Sequence, residues 1–395
     1  MGALGILAFA LAIAASIALH EAGHMFTARA FGMRVRRYFI GFGPTVWSTT
    51  KGHTEYGLAA LPFGGFCDIA GMTAMDPLTP EEEPHAMVNK PAWQRIAVLA
   101  GGIVMNLLIG VVITYFVAVF SGIPNPDADF TPRVGKTVCV ADQVDANTLG
   151  ECSGAGPAGE AGVQVGDTLV ALDGQEIEQF GQLRDAVAKQ PGETVTLEVL
   201  RGGETLTLDV PVAEVERIDP ATGERVTQGA VGIVSAPVTV KQYGPAEAVP
   251  ATFRFTGQML RATVDGIASF PAKIPGVVAS IFGAERDIEG PVSVIGASRT
   301  GGELVEQDMW SAFWMMLASL NFFLALFNLV PLPPLDGGHI AVVLYEKIRD
   351  AFRRLRGLGP GAPANYEKLM PLTYAMAALL LGVGVLVMAA DVVNP

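Results

Sequence analysis

His20, Glu21 and His24 form an HExxH pattern, His20-Glu21-Ala22-Gly23-His24, inside an apolar run from Leu4 to Phe31. On a helix the two histidines stand four residues apart on one face, so two neutral imidazole nitrogens can hold one metal ion, zinc in the usual case. Glu21 projects roughly 60–100° around the axis from each of them. It therefore flanks the metal without being a ligand and can take a proton from a water that the metal activates. So short a pattern also arises by chance in soluble proteins. Here it interrupts a stretch fit to cross a bilayer, where a charged residue costs about 2.5 kcal/mol or more and is seldom kept without function.

A second polar cluster ends another apolar run: Asn328-Leu329-Val330-Pro331-Leu332-Pro333-Pro334-Leu335-Asp336-Gly337-Gly338-His339. Its prolines break a helix and expose backbone groups. A catalytic zinc takes three protein ligands and keeps one position open, and a carboxylate that completes two histidines is one of the usual sets. Asp336 is thus the expected third ligand of a single zinc per chain, with His339 the nearest alternative. Taken alone, the Leu-Asp-Gly-Gly turn reads equally well as an ordinary helix cap.

The elements that would position these residues lie in a membrane. Of 395 residues 50% are hydrophobic and only 16% charged, and the mean hydropathy is +0.40, too apolar for a soluble globular chain of this length. The net charge of -13 argues against nucleic acid as a partner, since no basic stripe is present to neutralise phosphates. Met1 to Ala10 carries no Lys or Arg, so it lacks the basic start of a cleaved secretory signal and reads as a retained first helix. Hydropathy divides the chain into a first transmembrane helix (1–32), hairpins and loop (33–94), a second transmembrane helix (95–121), an inserted domain with flanks (122–240), an amphipathic membrane-surface segment (241–308), a third transmembrane helix (309–338), a basic loop (339–369) and a fourth transmembrane helix (370–392). Arg34, Arg36 and Arg37 follow the first span, and Lys347, Arg349, Arg353, Arg354 and Arg356 lie between the third and fourth. The positive-inside rule puts both basic stretches in the cytoplasm, with both termini and the acidic inserted domain outside. The metal site then lies near the cytoplasmic leaflet.

Between the first two spans, Tyr38 to Trp47 and His53 to Phe66 are aromatic, β-branched and punctuated by glycine, the pattern of strands in hairpins too apolar for free solvent. They form either a small sheet on the helix ends or a re-entrant sheet whose edge pairs with an extended substrate backbone near Gly41, Phe42 and Gly43. In the second span, Asn106 follows the small residues Gly101 and Gly102; it packs between helices or faces a zinc cavity. In the inserted domain, Ala161 to Ile177 reads as turn, strand, Asp-Gly turn and strand, followed by a helix from Phe180 to Gln190 and a hairpin around Arg201-Gly202-Gly203. The segment Ala161–Ile177 resembles the signature of a bacterial PDZ domain. Tyr243 to Phe282 is amphipathic with prolines at 250, 271 and 275, as expected of helices lying on the outer membrane surface. Cys139 and Cys152 both fall outside and can close a disulfide or stay free, while Cys67 stays reduced.

His-Glu-Ala-Gly-His in the first span, Gly102 to Asn106 in the second, the Asn-x-x-Pro-x-Pro-Pro-Leu-Asp-Gly-Gly run in the third, the Ile40-Gly41-Phe42-Gly43-Pro44 hairpin and the PDZ-like domain together resemble the bacterial site-2 protease family. The resemblance covers nearly the whole chain. It implies an α-helical polytopic protein of the bacterial inner membrane, with four transmembrane helices, a membrane-associated β-hairpin sheet and an inserted extracytoplasmic PDZ domain. It further implies zinc held by His20, His24 and Asp336, catalysis by Glu21, and contact with the substrate or oxyanion from Asn328. The substrates it implies are single-pass membrane proteins, such as anti-sigma factors first cut by a site-1-type protease, or signal-peptide remnants. Gly101-Gly102 departs from the Gly-Pro pair common in the family's second span, and one PDZ domain is evident where some members have two. A membrane scaffold and a metal-ion transporter are the other readings of such a chain, and neither requires a glutamate beside two ligands.

Overall fold

The computed structural model describes residues 2–73, 75–125, 132–145, 148–177, 180–218, 225–236, 240–282, 290–359 and 361–393. The chain forms two compact units, Met1–Ile123 with Gln242–Val278 and Glu289–Pro395, and Pro124–Lys241 with Ala279–Ile288.

In the first unit, α1 (Gly2–Ala30) leads into a hairpin of β1 (Val35–Lys51) and β2 (Thr54–Ile69), and α2 (Ala92–Phe120) follows. Four helices among the described residues are long and apolar enough to cross a bilayer: Ala3–Ala30, Ala92–Phe120, Trp310–Leu329 and Met370–Val393. This makes the chain a polytopic membrane protein, as its hydropathy implies. Lipid gives no hydrophobic drive for helices to associate, so close approach through small residues has to hold them together. A Cβ added at Gly23 would lie 2.3 Å from the Gly101 carbonyl oxygen, and one at Gly110 would lie 2.4 Å from the Phe322 ring. The backbones of α1 and α2 therefore meet directly, and α2 receives a large ring from the helix Trp310–Leu329.

The hairpin is more elaborate than two strands. Arg37–Ile40 pairs with Gly65–Asp68 and also with Glu55–Leu58, while Thr45–Lys51 pairs with Thr54–Ala59. Both sides of Arg37–Ile40 are thereby satisfied. Gly41 and Gly43 adopt φ of 89° and 88°, which lets the strand bend between its two pairings. The Tyr38 hydroxyl donates to the Ala18 carbonyl of α1 (2.6 Å), and Val35 and Ile69 join Ala22, Met25, Val98 and Leu99 in one core. Arg36 ties the following linker to the hairpin through Asp76 and Glu82.

The second unit holds α3 (Gly156–Glu160) and α4 (Phe180–Ala188) and a sheet in which Thr194–Arg201 lies between Glu204–Pro211 and Thr168–Leu172, with Gln175–Glu176 at the edge. The Asp-Gly turn forms as expected, with positive φ at Asp173 (49°) and Gly174 (77°). Leu169, Leu172, Leu183, Val195, Leu197, Val199 and Val210 fill its core. Asp167, nearly inaccessible, accepts from Arg201 (2.7 Å to each carboxylate oxygen), which holds its carboxyl below the usual carboxylate range. Cys139 and Cys152 are disulfide-bonded, with Cα atoms 5.9 Å apart, and Cys67 is free.

Two segments differ from the sequence reading. The prolines at 250, 271 and 275 lie inside one helix, α5 (Pro245–Ile281); each removes a single backbone donor and leaves the remaining helical hydrogen bonds in place. The next helix, α6 (Val294–Glu306), packs on α1 rather than lying free on a surface: Gly302 meets Gly5, and Gly301 sits under Phe9. The basic loop is also mostly helical. After α7 (Trp310–Leu329), α8 spans Asp336–Leu355, and α9 (Met370–Val393) ends the described chain. The cations of α8 mask a helical period in which Ile340 and Val343 reach the core formed with α1 and α2.

Candidate metal centre

α1 supplies the first half of the site. His20 and His24 are each 7% exposed, and their Nε2 atoms lie 3.2 Å apart. Asp336 opens α8 because the preceding prolines end α7 and because Gly337 and Gly338 let the loop fold onto itself; a Cβ at Gly337 would lie 2.3 Å from the Leu329 carbonyl oxygen. Asp336 Oδ2 is thereby brought to 3.3 Å from His20 Nε2 and 3.4 Å from His24 Nε2. Among the described residues these three form the group of His, Cys, Asp and Glu donors that could share a metal ion. His339 turns elsewhere and stacks on Tyr366, with ring centroids 6.1 Å apart.

The donor set fits zinc. Bonds of about 2.0–2.1 Å in a tetrahedron place ligand atoms roughly 3.3 Å from one another, which is the spacing of this triangle. The surrounding groups agree with it. The Val98 carbonyl, which can only accept, lies 2.8 Å from His24 Nδ1, so Nδ1 carries the proton and Nε2 presents its lone pair. The Asn106 amide lies 3.1 Å from His20 Nδ1, and its Oδ1 is buried with no partner among the described residues. The two ends of an amide are nearly alike in shape. With the proton of His20 on Nδ1, the oxygen end of Asn106 is the partner that it calls for. Of the two sequence readings of Asn106, the one that faces the metal site describes its position.

Gly102 completes the cradle, since a Cβ there would fall 2.4 Å from His24 Nε2 and 2.6 Å from His20 Nε2. Only a residue without a side chain lets α2 lie over the donor atoms. Glu21 points to the other side. Its Cγ would be 3.2 Å from a Cβ at Gly65, and the Cys67 backbone N–H donates to its carboxylate. Glu21 thus stands between the histidine pair and the strand Gly65–Asp68, within electrostatic range of His20, His24 and Asp336. Asn328 is in the last turn of α7, half-buried and without a side-chain hydrogen bond among the described residues. Gly41, Phe42 and Gly43 bend away in the hairpin, where Phe42, 46% exposed, pairs with Leu61.

The sequence reading missed a polar pair one turn from the histidines. Asn321 of α7 donates to Ser16 Oγ (3.1 Å), and Ser16 precedes His20 by one helical repeat on the same face. A serine at that spacing within an apolar run was the available signal. Also missed was the clamp on α8, where Arg95 of α2 donates to Glu346 (2.8 Å) and the Ala364 backbone N–H donates to the other oxygen of the same carboxylate (2.7 Å).

Comparison with known proteins places the whole chain beside zinc metalloproteases. The model of peptidase family M50 matches residues 8–358. Zinc metalloprotease Rip1 of Mycolicibacterium smegmatis is 49% identical over 401 residues, covering 100% of this chain and 98% of the relative. Zinc metalloprotease Rip1 of Mycobacterium tuberculosis is 45% identical, covering 99% and 98%. The regulator of sigma E protease of Salmonella typhi is 27% identical, covering 95% of both chains.

Proposed function

This chain belongs to peptidase family M50, the site-2 protease family of zinc metalloproteases, and from that premise we propose that it cuts single-pass membrane proteins within their transmembrane segments. The observation that carries the reading is the triangle of His20, His24 and Asp336 donors, 3.2–3.4 Å on a side, held by helices of membrane-spanning length. In this reading those three residues are the zinc ligands and Glu21 is the general base. Zinc, when bound, supplies Lewis-acid polarisation of the scissile carbonyl and acidifies water.

The chain's own residues do the rest. Glu21 accepts a proton from the attacking water and returns it to the leaving nitrogen, and the Cys67 N–H holds its carboxylate facing the site. Asn106 and Val98 keep the imidazoles in the tautomer that presents Nε2. Asn328, whose side chain has no hydrogen bond among the described residues, binds the substrate or its developing oxyanion. A helical substrate hides its amides, so it has to unwind before it can be cut. The hairpin sheet, re-entrant in this proposal, offers the extended strand a backbone to pair with: Arg37–Ile40 is occupied on both sides, which leaves the outer edge of Gly65–Asp68 beside Glu21, and Gly41, Phe42 and Gly43 meet the substrate further along the hairpin.

We place the metal centre near the cytoplasmic leaflet of a bacterial inner membrane and the termini and second unit outside, because the basic stretches follow α1 and α7. The second unit acts as a PDZ-type domain that filters access, so that a substrate reaches the site after a site-1-type protease has trimmed it. Co-expression with candidate single-pass substrates tests the chemistry. Glu21→Gln is expected to abolish cleavage while keeping one zinc per chain by mass spectrometry. Loss of the metal from this variant would make Glu21 a ligand or a structural residue and overturn its role.

A further inference from the structure

The outer face of α8, opposite the side that packs on the protein, takes no part in the metal centre. At ~100° per residue, Leu344, Ile348, Ala351, Phe352 and Leu355 share one side of this helix, opposite the buried Val343 and Glu346. They are open to the surroundings: Leu344 is 44% exposed, Ile348 57%, Phe352 62% and Leu355 83%, with Tyr345 beside them at 58%. A helix that packs on its protein through one side should present a polar opposite side to water. This one presents an apolar stripe. Asp336, Glu346, Lys347, Arg349, Asp350, Arg353 and Arg354 rule it out as a membrane span, and it is absent from the four helices fit to cross. Lys347 and Arg354 run along one flank of the stripe and Arg356 caps its end; all three are exposed and have no side-chain hydrogen bond or ion pair among the described residues. Apolar residues edged by free cations match an acyl layer edged by anionic headgroups.

We propose that α8 lies in the membrane interface with this face docked on anionic lipid, and that the docking steadies Asp336, its first residue. The inner side is already fixed, because Glu346 binds Arg95 and the Ala364 backbone. A force on the lipid-facing side is therefore carried along a rigid helix, about 15 Å from Glu346 to Asp336 at 1.5 Å per residue. The coupling to the metal rests on the ligand role proposed for Asp336, whereas the docking itself does not.

The test uses the full chain in nanodiscs of phosphatidylcholine, with and without phosphatidylglycerol. The chain carries Cys67→Ser and Ile348→Cys with a fluorophore on the new thiol; Cys139 and Cys152 are bonded. With phosphatidylglycerol present, a nitroxide on the acyl chains is expected to quench the label and aqueous iodide is not. Lys347→Gln, Arg354→Gln and Arg356→Gln together should reverse that order and speed zinc loss to a chelator several-fold, with the melting temperature in detergent unchanged. Docking without faster zinc loss would remove the coupling and with it the second half of the proposal. Strong iodide quenching in the anionic discs would put the face in water, where a soluble protein partner is the better reading. Equal acyl quenching and equal zinc retention with and without phosphatidylglycerol would show that headgroup charge has no part. Either result overturns the docking proposal, whether or not the chain cleaves a substrate.

Discussion

A methyl group at Gly102 is the smallest change that strikes the metal centre from the α2 side. Built on the existing backbone, it falls 2.4 Å from His24 Nε2 and 2.6 Å from Cε1 and Nε2 of His20. Non-bonded carbon and nitrogen rest at about 3.5 Å, so the contact has to open by roughly 1 Å. Metal–ligand distances tolerate about 0.2 Å, far less than that. Rotating the rings does not relieve it, because His24 Nδ1 is tied to the Val98 carbonyl on the same helix as Gly102. Moving α2 away breaks that bond and parts the Gly23 and Gly101 backbones. Gly102→Ala is therefore expected to weaken zinc binding at least as much as loss of an orienting partner does, about 10–100-fold. The purified chain should then hold well under one zinc after exposure to a mild chelator, and should lose cleavage in parallel. Gly110→Ala, about two turns further along α2, is the matched control. Its methyl meets the Phe322 ring at 2.4 Å, at an overpacking cost of about 1–3 kcal/mol and without touching a ligand. Full zinc occupancy in Gly102→Ala would refute the reasoning, and equal zinc loss in both variants would reduce it to general helix packing.

Asp336→Ala should strip zinc without preventing membrane insertion, whereas His339→Ala should retain it; the opposite pattern in metal analysis would move the third ligand to His339. Acid should loosen the linker after the hairpin, since the Arg36 hydrogen bond holds the Glu82 carboxyl down to about 2 from its ordinary 4.5. A carboxyl with a lowered folded pKa contributes stability above the unfolded value and loses it as pH falls, so nicking between residues 76 and 90 should rise from about pH 4.5 toward 2. Glu82→Gln should be nicked more at neutral pH and respond little to acid, and an unchanged acid response in that variant would exclude this pair. Replacing 133–236 by a short Gly-Ser linker should let untrimmed substrate be cut and leave the rate on trimmed substrate nearly unchanged. Slower cutting of trimmed substrate alone would mean that the domain grips the new chain end instead of filtering access.

How much of this was legible in the chain follows from what a local pattern can carry. His20, Glu21 and His24 declare their shared helical face by spacing, the four spans declare themselves by length and apolarity, and Asp173-Gly174 declares its turn because few other pairs accept positive φ twice in succession. Asp336 was legible as a candidate by its chemistry, a carboxylate able to complete two histidines. Other features arose only when distant segments met. That Gly102 has to lack a side chain, that Asn106 and Val98 set the imidazole tautomers, and that Gly65 and Cys67 back Glu21 are consequences of two backbones approaching within a few ångströms, which no residue type announces on its own. The composition of residues 339–369 reads as a basic loop because its cations outweigh its apolar period, whereas the α8 helix is held by Val343 in the core with α1 and α2 and by Glu346 on Arg95. Residue types and their periods thus settle which groups can do chemistry and which segments can cross the membrane. The tertiary structure decides which of those groups come within bonding distance, because that depends on the space each neighbour leaves empty.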